Sequence, residues 1–395
     1  MQRENIRFLF LNIGHFLDHF FVLIFATVAA LRLTLEWNLS YAQLIPYATP
    51  GFIAFGVCAI PAGWLADKWS REGMMAVFFV GIGLSSMYTG MANSPLEIGI
   101  GLTLVGVFAA IYHPVGLAMV VQGRDKMGIP LAVNGVFGNM GVACAALVTG
   151  YFIDNVGWRS AFYLPGAISI VLGVLYMVFE GKISSQHPDS GVTKPITQDA
   201  APNSRGLLAR VFGIVFFTTA LGGMIFQSTT FALPKIFDER LGDLAISATE
   251  VGFYAFLVFS VAAFAQLLVG YLLDRYRLRM IFAWIAALQA VLFWAMVSLS
   301  GLPALLVAIG FMLAVFGNIP VKDVLVGRMA KSSWRSRAYA LNYLVGFTVS
   351  ASAVPAIAYV HNTWGFDRLF ELLGIIAAII FVAAMLLPRE NTQHA

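Results

Sequence analysis

Hydrophobic residues in this chain fall in long unbroken blocks rather than in alternation. Blocks of about 20 residues or more cover 8–33, 42–66, 74–92, 96–121, 131–153, 160–179, 208–231, 251–273, 280–299, 303–329, 338–360 and 369–387. A hydrocarbon core about 30 Å thick needs roughly 20 apolar residues in a helix, so each block is long enough to cross it. Outer-membrane strands would alternate polar and apolar residues instead. The pattern predicts an all-α membrane protein with twelve transmembrane helices.

One polar segment divides the blocks six and six. Positions 181–206 hold Ser184, Ser185, His187, Pro188, Lys194, Pro195 and Pro202, a composition suited to a linker. The two sides also repeat. Gly63-Trp-Leu-Ala-Asp67-Lys68 returns as Gly270-Tyr-Leu-Leu-Asp274-Arg275, Pro114 as Pro320, Asn134 as Asn342 and Gly157 as Gly365, in the same order and at nearly the same spacing. This predicts two pseudo-symmetric six-helix bundles, 1–180 and 207–395, with substrate held between repeats near mid-bilayer.

Composition narrows the class further. Of 395 residues, 59% are hydrophobic and 11% charged, against about 25% charged in a soluble domain. A soluble enzyme, a disordered chain and a nucleic-acid binder are excluded, since each needs polar or basic density that is absent. Cys58 and Cys144 both lie in apolar blocks, so no disulfide framework or thiolate metal cluster is expected. The first block is too long for a signal-peptide core and is expected to be retained. With the N-terminus inside, 18 of the 24 lysines and arginines fall on the inner side and 5 on the outer. The asymmetry predicts cytoplasmic termini and a cytoplasmic linker in an inner cell membrane.

Ionisable side chains within a span are costly in lipid and therefore point to function. His15, Asp18 and His19 share adjoining faces of the first helix, and His113 in the fourth lies at nearly the same depth from the inner end. These four are the candidate proton-coupling group, and His113 is also a candidate substrate contact. A metal site from the same residues is chemically open, but nothing else in the chain supplies thiolate or clustered carboxylate. No metal and no other cofactor is expected. Lys322 in the tenth helix is a candidate to attract an anionic group, with Asp323 beside it, and Gln227, Asn318, Asn134 and Asn342 are candidates to line a cavity.

Asp67 ends the second helix, where the helix dipole disfavours a negative charge. Arg71, one turn on, is the candidate compensation. Gly63 would let a neighbouring helix approach. With Lys68, and with the second copy Gly270, Asp274 and Arg275, these residues are candidate gating elements, making a contact in one conformation and breaking it in another.

Gly63-Trp-Leu-Ala-Asp67-Lys68-Trp-Ser-Arg71 resembles the loop signature of the major facilitator superfamily, and Gly157-Trp158-Arg159 is similar to its entry into the sixth helix. The resemblance implies the major facilitator fold. Within that superfamily, Tyr112-His113-Pro114, His15…Asp18 and Gly138-Asn139-Met140-Gly141 followed by Gly150 resemble the fosmidomycin-resistance-like drug exporters. No phosphate loop, nucleophile elbow or zinc-protease motif occurs in the sequence, so the chain is not expected to be an enzyme. The expectation is a monomeric, proton-coupled secondary transporter working by alternating access and exporting small drug-like or organic-anion molecules. The alternative is a proton symporter importing a carboxylate or metal chelate; an intramembrane enzyme or a non-transporting receptor is the remote one. Expected partners are the small-molecule substrate, protons and the lipid bilayer, with no nucleic acid.

Overall fold

The computed structural model describes residues 2–124, 128–184, 205–329 and 335–388. Among these, every regular element is helical, and 11 helices are long and apolar enough to cross a membrane. The first ten are α1 (Arg3–Glu36), α2 (Tyr41–Lys68), α3 (Arg71–Gly90), α4 (Pro95–Val121), α5 (Gly128–Asn155), α6 (Ser160–Gly181), α7 (Arg210–Arg240), α8 (Ala248–Leu273), α9 (Leu278–Ala295) and α10 (Gly301–Lys322). The last, Leu344–Met385, has 42 residues, about 63 Å of helix and twice the thickness of a bilayer core. Gly365 inside it sits at φ 76° and ψ −172°, a non-helical conformation that glycine adopts readily. The stretch is therefore two crossings, α11 (335–364) and α12 (366–385), and the expected twelve spans are present.

Helix starts follow local chemistry. Ser40 and Gln43 form a reciprocal capping box before α2. Ser70 caps α3 by accepting from the Gly73 N–H at 3.0 Å, and Ser94 caps α4, which opens with Pro95. Each bond satisfies an amide that the first helical turn would otherwise leave unpaired. Between α5 and α6, Gly157 takes φ 115°. Trp158 Nε1 then donates to Glu36 at 3.1 Å and Arg159 to the Ala92 carbonyl at 3.0 Å, which fastens the start of α6 to the ends of α1 and α3.

The helices divide into two compact units. One takes Met1–Lys194 with Phe231–Phe259, the other Pro195–Thr230 with Ser260–Ala395. In the first unit α1 lies along α5, and α3 along α6. The α1–α5 approach is close enough that a Cβ on Gly141 would collide with the Phe16 carbonyl. Small residues permit such backbone contact between membrane helices. Arg7 on α1 grips Glu180 on α6 through two bonds, at 2.8 and 2.5 Å. At the far end of α5, Asp154 accepts from the Thr249 amide at 2.7 Å and its hydroxyl at 2.5 Å, which caps the start of α8. In the second unit α9 packs along the α11–α12 region and along α10, where Gln289 donates to the Ala314 carbonyl at 3.0 Å.

Gly141→Val should lower thermal stability in detergent by about 1–3 kcal/mol, the usual range for overpacking. Gly213→Ala, where an added methyl meets nothing within 4 Å, should leave the Tm unchanged or slightly raised. Equal Tm values for both variants would show that α1 and α5 are not in backbone contact.

Candidate functional site

The site grows from an irregularity in α4. Pro114 lacks an N–H and disrupts the regular helical ladder, and the chain passes it in a π-helical turn over Tyr112–Gly116. Such a turn inserts one extra residue and re-aims the side chains on it. Tyr112 is fully buried and donates its hydroxyl to the Leu11 carbonyl at 2.7 Å. Asn134 Nδ2, from α5, donates to the Tyr112 hydroxyl at 2.9 Å and to Asn12 Oδ1 at 2.9 Å. Its backbone carbonyl accepts from His15 Nδ1 at 2.8 Å. With Nδ1 carrying the proton, His15 Nε2 is left as a lone pair.

Around that nitrogen the other titratable groups gather. The His15 ring stacks on Tyr112 at 4.8 Å, and a Cβ on Gly138 would come within 2.7 Å of His15 Nε2, so glycine is what leaves room for the ring. His19 lies 5.0 Å from His15 between ring centroids, and His113 lies 5.4 Å from His15 and 5.5 Å from His19. Asp18 is 0% exposed, and its Oδ2 is 3.4 Å from His113 Nε2. Phe55 from α2 closes against His113 at 5.7 Å. The structure thus brings His15, Asp18, His19 and His113 into one buried cluster.

The ring nitrogens of His15, His19 and His113 lie within 4.8 Å of one another. Tetrahedral zinc at about 2.0–2.1 Å holds its nitrogens about 3.3 Å apart. These rings would have to close inward to hold zinc.

In the second unit, Asn318 and Lys322 lie one turn apart on α10, and the Lys322 ammonium rests over Gly222 of α7. Gln227 and Asn318 are both buried, and among the described residues Gln227 Nε2 and Asn318 Oδ1 have no hydrogen-bond partner. Phe226 stacks on Phe316 at 5.7 Å nearby in sequence. The side chains of Asp323 and Asn342 lie outside the described residues. Asn134 belongs to the α1–α4–α5 lattice just described.

The two copies of the loop motif make different contacts. Arg71 donates to Asp67 Oδ1 at 3.1 Å, the compensation expected for that carboxylate, while Lys68 is exposed. A Cβ on Gly63 would lie 3.3 Å from Pro114 Cβ. In the second copy, the Arg275 guanidinium lies 3.5 Å from the centre of the Tyr271 ring, Asp274 is exposed, and a Cβ on Gly270 would meet nothing within 4 Å. The helices that carry the two matching prolines differ as well. Pro114 stands in a π-helical turn, whereas Pro320 lies inside an α-helix.

Two members of the lattice were not singled out for function from sequence, the Asn12 amide and the Tyr112 hydroxyl. Asn12 lies three residues before His15, on the same helical face, and that spacing was the available signal.

Apolar membrane-crossing helices in both units, with a buried titratable cluster inside the first, fit a multi-pass membrane carrier rather than an enzyme. The Major Facilitator Superfamily profile matches residues 8–242 and 215–395, and the chain belongs to that superfamily of transporters. It is 22% identical to the 4-hydroxybenzoate transporter PcaK of Pseudomonas aeruginosa, over 92% of this chain and 87% of that protein. Two partial likenesses are a probable hexose phosphate transport protein of Chlamydia pneumoniae, at 25% identity over 38% of this chain, and the puromycin resistance protein pur8 of Streptomyces alboniger, at 31% over 31%. The chain spans only 33% and 25% of those two proteins. Among solved structures, a D-xylose-proton symporter superposes with a TM-score of 0.73 at 14% identity, over 97% of each chain, a likeness of fold.

Asn134→Ala should destabilise the protein by about 1–3 kcal/mol, because it leaves buried polar atoms unpaired. Asn12→Ala removes the same bond, so the double variant should cost clearly less than the sum of the singles. Strict additivity in thermal denaturation would show that the two amides do not bond to each other.

Proposed function

We propose that this transporter is a proton-coupled carrier of small organic anions, working by alternating access as a monomer in the inner cell membrane with both termini in the cytoplasm. The observation that carries the reading is Asp18, fully buried at 3.4 Å from His113 and surrounded by two further imidazoles. A buried carboxylate needs a compensating proton or cation. One proton meets that need whether it resides on the carboxyl or on the imidazole, so the pair is electroneutral with one proton bound. His15 Nε2 and His19 stand beside it as acceptors for transfer onward. A carrier driven by a pH gradient requires such a group, loaded from one side and discharged to the other.

Lys322 supports the anionic substrate class, since intramembrane ionisable residues mark substrate pathways and an ammonium there attracts an anion. Asn318 one turn away, Gln227 and Asn342 are the neighbouring polar contacts in this reading, Asp323 balances the local charge, and His113 bridges proton and substrate. Asn134 acts by positioning His15. The Asp67–Arg71 pair with Gly63 and Lys68, and Gly270, Asp274 and Arg275, serve as the elements that change contact between conformations as segments 1–180 and 207–395 move about the 181–206 linker.

Export is the direction supported by the Tyr112-His113-Pro114 element, similar to fosmidomycin-resistance-like exporters, and by the partial likeness to a puromycin resistance protein. Import of a carboxylate or metal chelate by proton symport is the second reading; the likeness to a 4-hydroxybenzoate transporter over 92% of the chain supports a carboxylate substrate in either direction. Proteoliposomes with an imposed pH gradient and labelled 4-hydroxybenzoate as probe separate the two, because accumulation appears on the acidic side for antiport and on the alkaline side for symport.

Asp18→Asn should abolish accumulation driven by the pH gradient while keeping substrate–substrate exchange. Gradient-driven accumulation equal to the parent would remove Asp18 from coupling. Lys322→Gln should weaken binding of 4-hydroxybenzoate by about tenfold or more, the worth of a charged hydrogen bond, and leave its neutral methyl ester unaffected. Equal losses for acid and ester would rule out charge recognition by Lys322.

A further inference from the structure

Between α8 and α9 the second unit carries a groove of about 700 Å³ that the transport reading does not use. Arg275, Tyr276 and Arg277 stand along it together with Met280, Ile281 and Trp284. Its height in the membrane follows from the spans. α8 ends at Leu273 and α9 begins at Leu278, so the turn 274–277 lies where hydrocarbon gives way to headgroups. Trp284 is 70% exposed, and Leu288 and Val291 continue the same face of α9 at 49% and 61%. That spacing makes one apolar stripe running from the groove into the hydrocarbon.

The charged side chains that line the groove, Arg275 and Arg277, are both cationic. Arg275 and Arg277 are exposed, and Arg277 is the residue before the first turn of α9, whose opening amides have no intrahelical partner. Arg279 is engaged, donating to the Leu387 carbonyl at 3.2 Å. Asp274 is the one acidic residue in the turn, against two exposed arginines, of which Arg275 lies over the Tyr271 ring. Tyr276 is 62% exposed, and tyrosine and tryptophan favour this interfacial level. A cationic mouth that opens onto an apolar stripe is complementary to a molecule with an anionic head and a hydrocarbon tail.

We infer that this groove is a binding site for an anionic phospholipid, whose phosphate is held by Arg275, Arg277 and the first amides of α9 and whose acyl chain lies along Trp284, Leu288 and Val291. A soluble anion would use the arginines but has no tail for the stripe. A zwitterionic lipid would use the stripe but brings a cation to the arginines.

The test is native mass spectrometry of the full-length protein in detergent, titrated with phosphatidylglycerol or with phosphatidylcholine of identical acyl chains. Phosphatidylglycerol should be retained at least about fivefold better, the effect of one basic side chain at the membrane surface. Arg275→Gln and Arg277→Gln should each reduce its retention by about fivefold and leave phosphatidylcholine unchanged. Asp274→Asn should raise phosphatidylglycerol retention, and Trp284→Ser should lower retention of both lipids. Raising the salt concentration should erase the preference between headgroups. Equal retention of the two lipids by the parent, or an unchanged preference in the Arg275→Gln/Arg277→Gln double variant, would overturn the proposal. Displacement of phosphatidylglycerol by an equal concentration of soluble glycerol phosphate would overturn it as well, because the groove would then be a plain anion site.

Discussion

Backbone contact between α1 and α5 is the constraint on which the first unit depends. It exists because Gly138 and Gly141 present no side chain to α1, and van der Waals contact between close backbones replaces the hydrophobic driving force that lipid removes. The consequence is chemical as well as mechanical. With α1 held at that distance, the Asn134 carbonyl reaches His15 Nδ1 and the Asn134 amide reaches Asn12. A larger residue at 138 would occupy the space of the His15 ring itself. Tight helix contact and placement of the imidazole are therefore one feature.

From that contact the polar chemistry follows in order. The Asn134 carbonyl selects the tautomer of His15, so its remaining nitrogen is a proton acceptor buried among other titratable groups. Tyr112, locked by Leu11 and Asn134, supplies the flat surface on which that ring rests. The same π-helical turn carries His113 to Asp18. The groups that brace His15 and Tyr112, namely the side chains of Asn12 and Asn134 and the backbone carbonyls of Asn134 and Leu11, are neutral, whereas Asp18, His15, His19 and His113 within the cluster are titratable. In the proposed reading, such a neutral frame lets the cluster gain or lose a proton without rearranging the bonds that brace it.

Much of this was legible in sequence, and the limits have physical reasons. The spans could be read because a bilayer demands about 20 apolar residues per crossing, and the helices extend beyond the apolar runs mainly through capped or charged ends such as Ser70–Arg71 and Arg3–Arg7. The junction of α11 and α12 was marked by Gly365. The cluster could be read because Asp18 and three histidines are costly inside spans. Its supporting lattice could not, since Asn12 and Tyr112 become partners only through the α1–α5 distance and the irregular turn at Pro114. Asn134 illustrates the same limit: a buried amide in a span reads equally well as a cavity wall or as a brace, and only its neighbours decide.

The unequal fates of Gly63 and Gly270 bear on what the internal repeat preserves. Duplicated sequence has kept helix order, helix length and the acidic end of the second helix in each half, features set by the membrane. It has not kept the side-chain contacts, because those depend on the partner, and the π-helical turn at Pro114 has no counterpart at Pro320. In the proposed reading this divergence has a purpose. A carrier that couples a proton to an anion needs two unlike ligand sites. The first unit holds a carboxyl–imidazole group suited to the proton, and the second holds an ammonium beside amides suited to the anion. Had the repeats remained chemically alike, both units would compete for the same ligand, and the gradient of one could not be spent on the other.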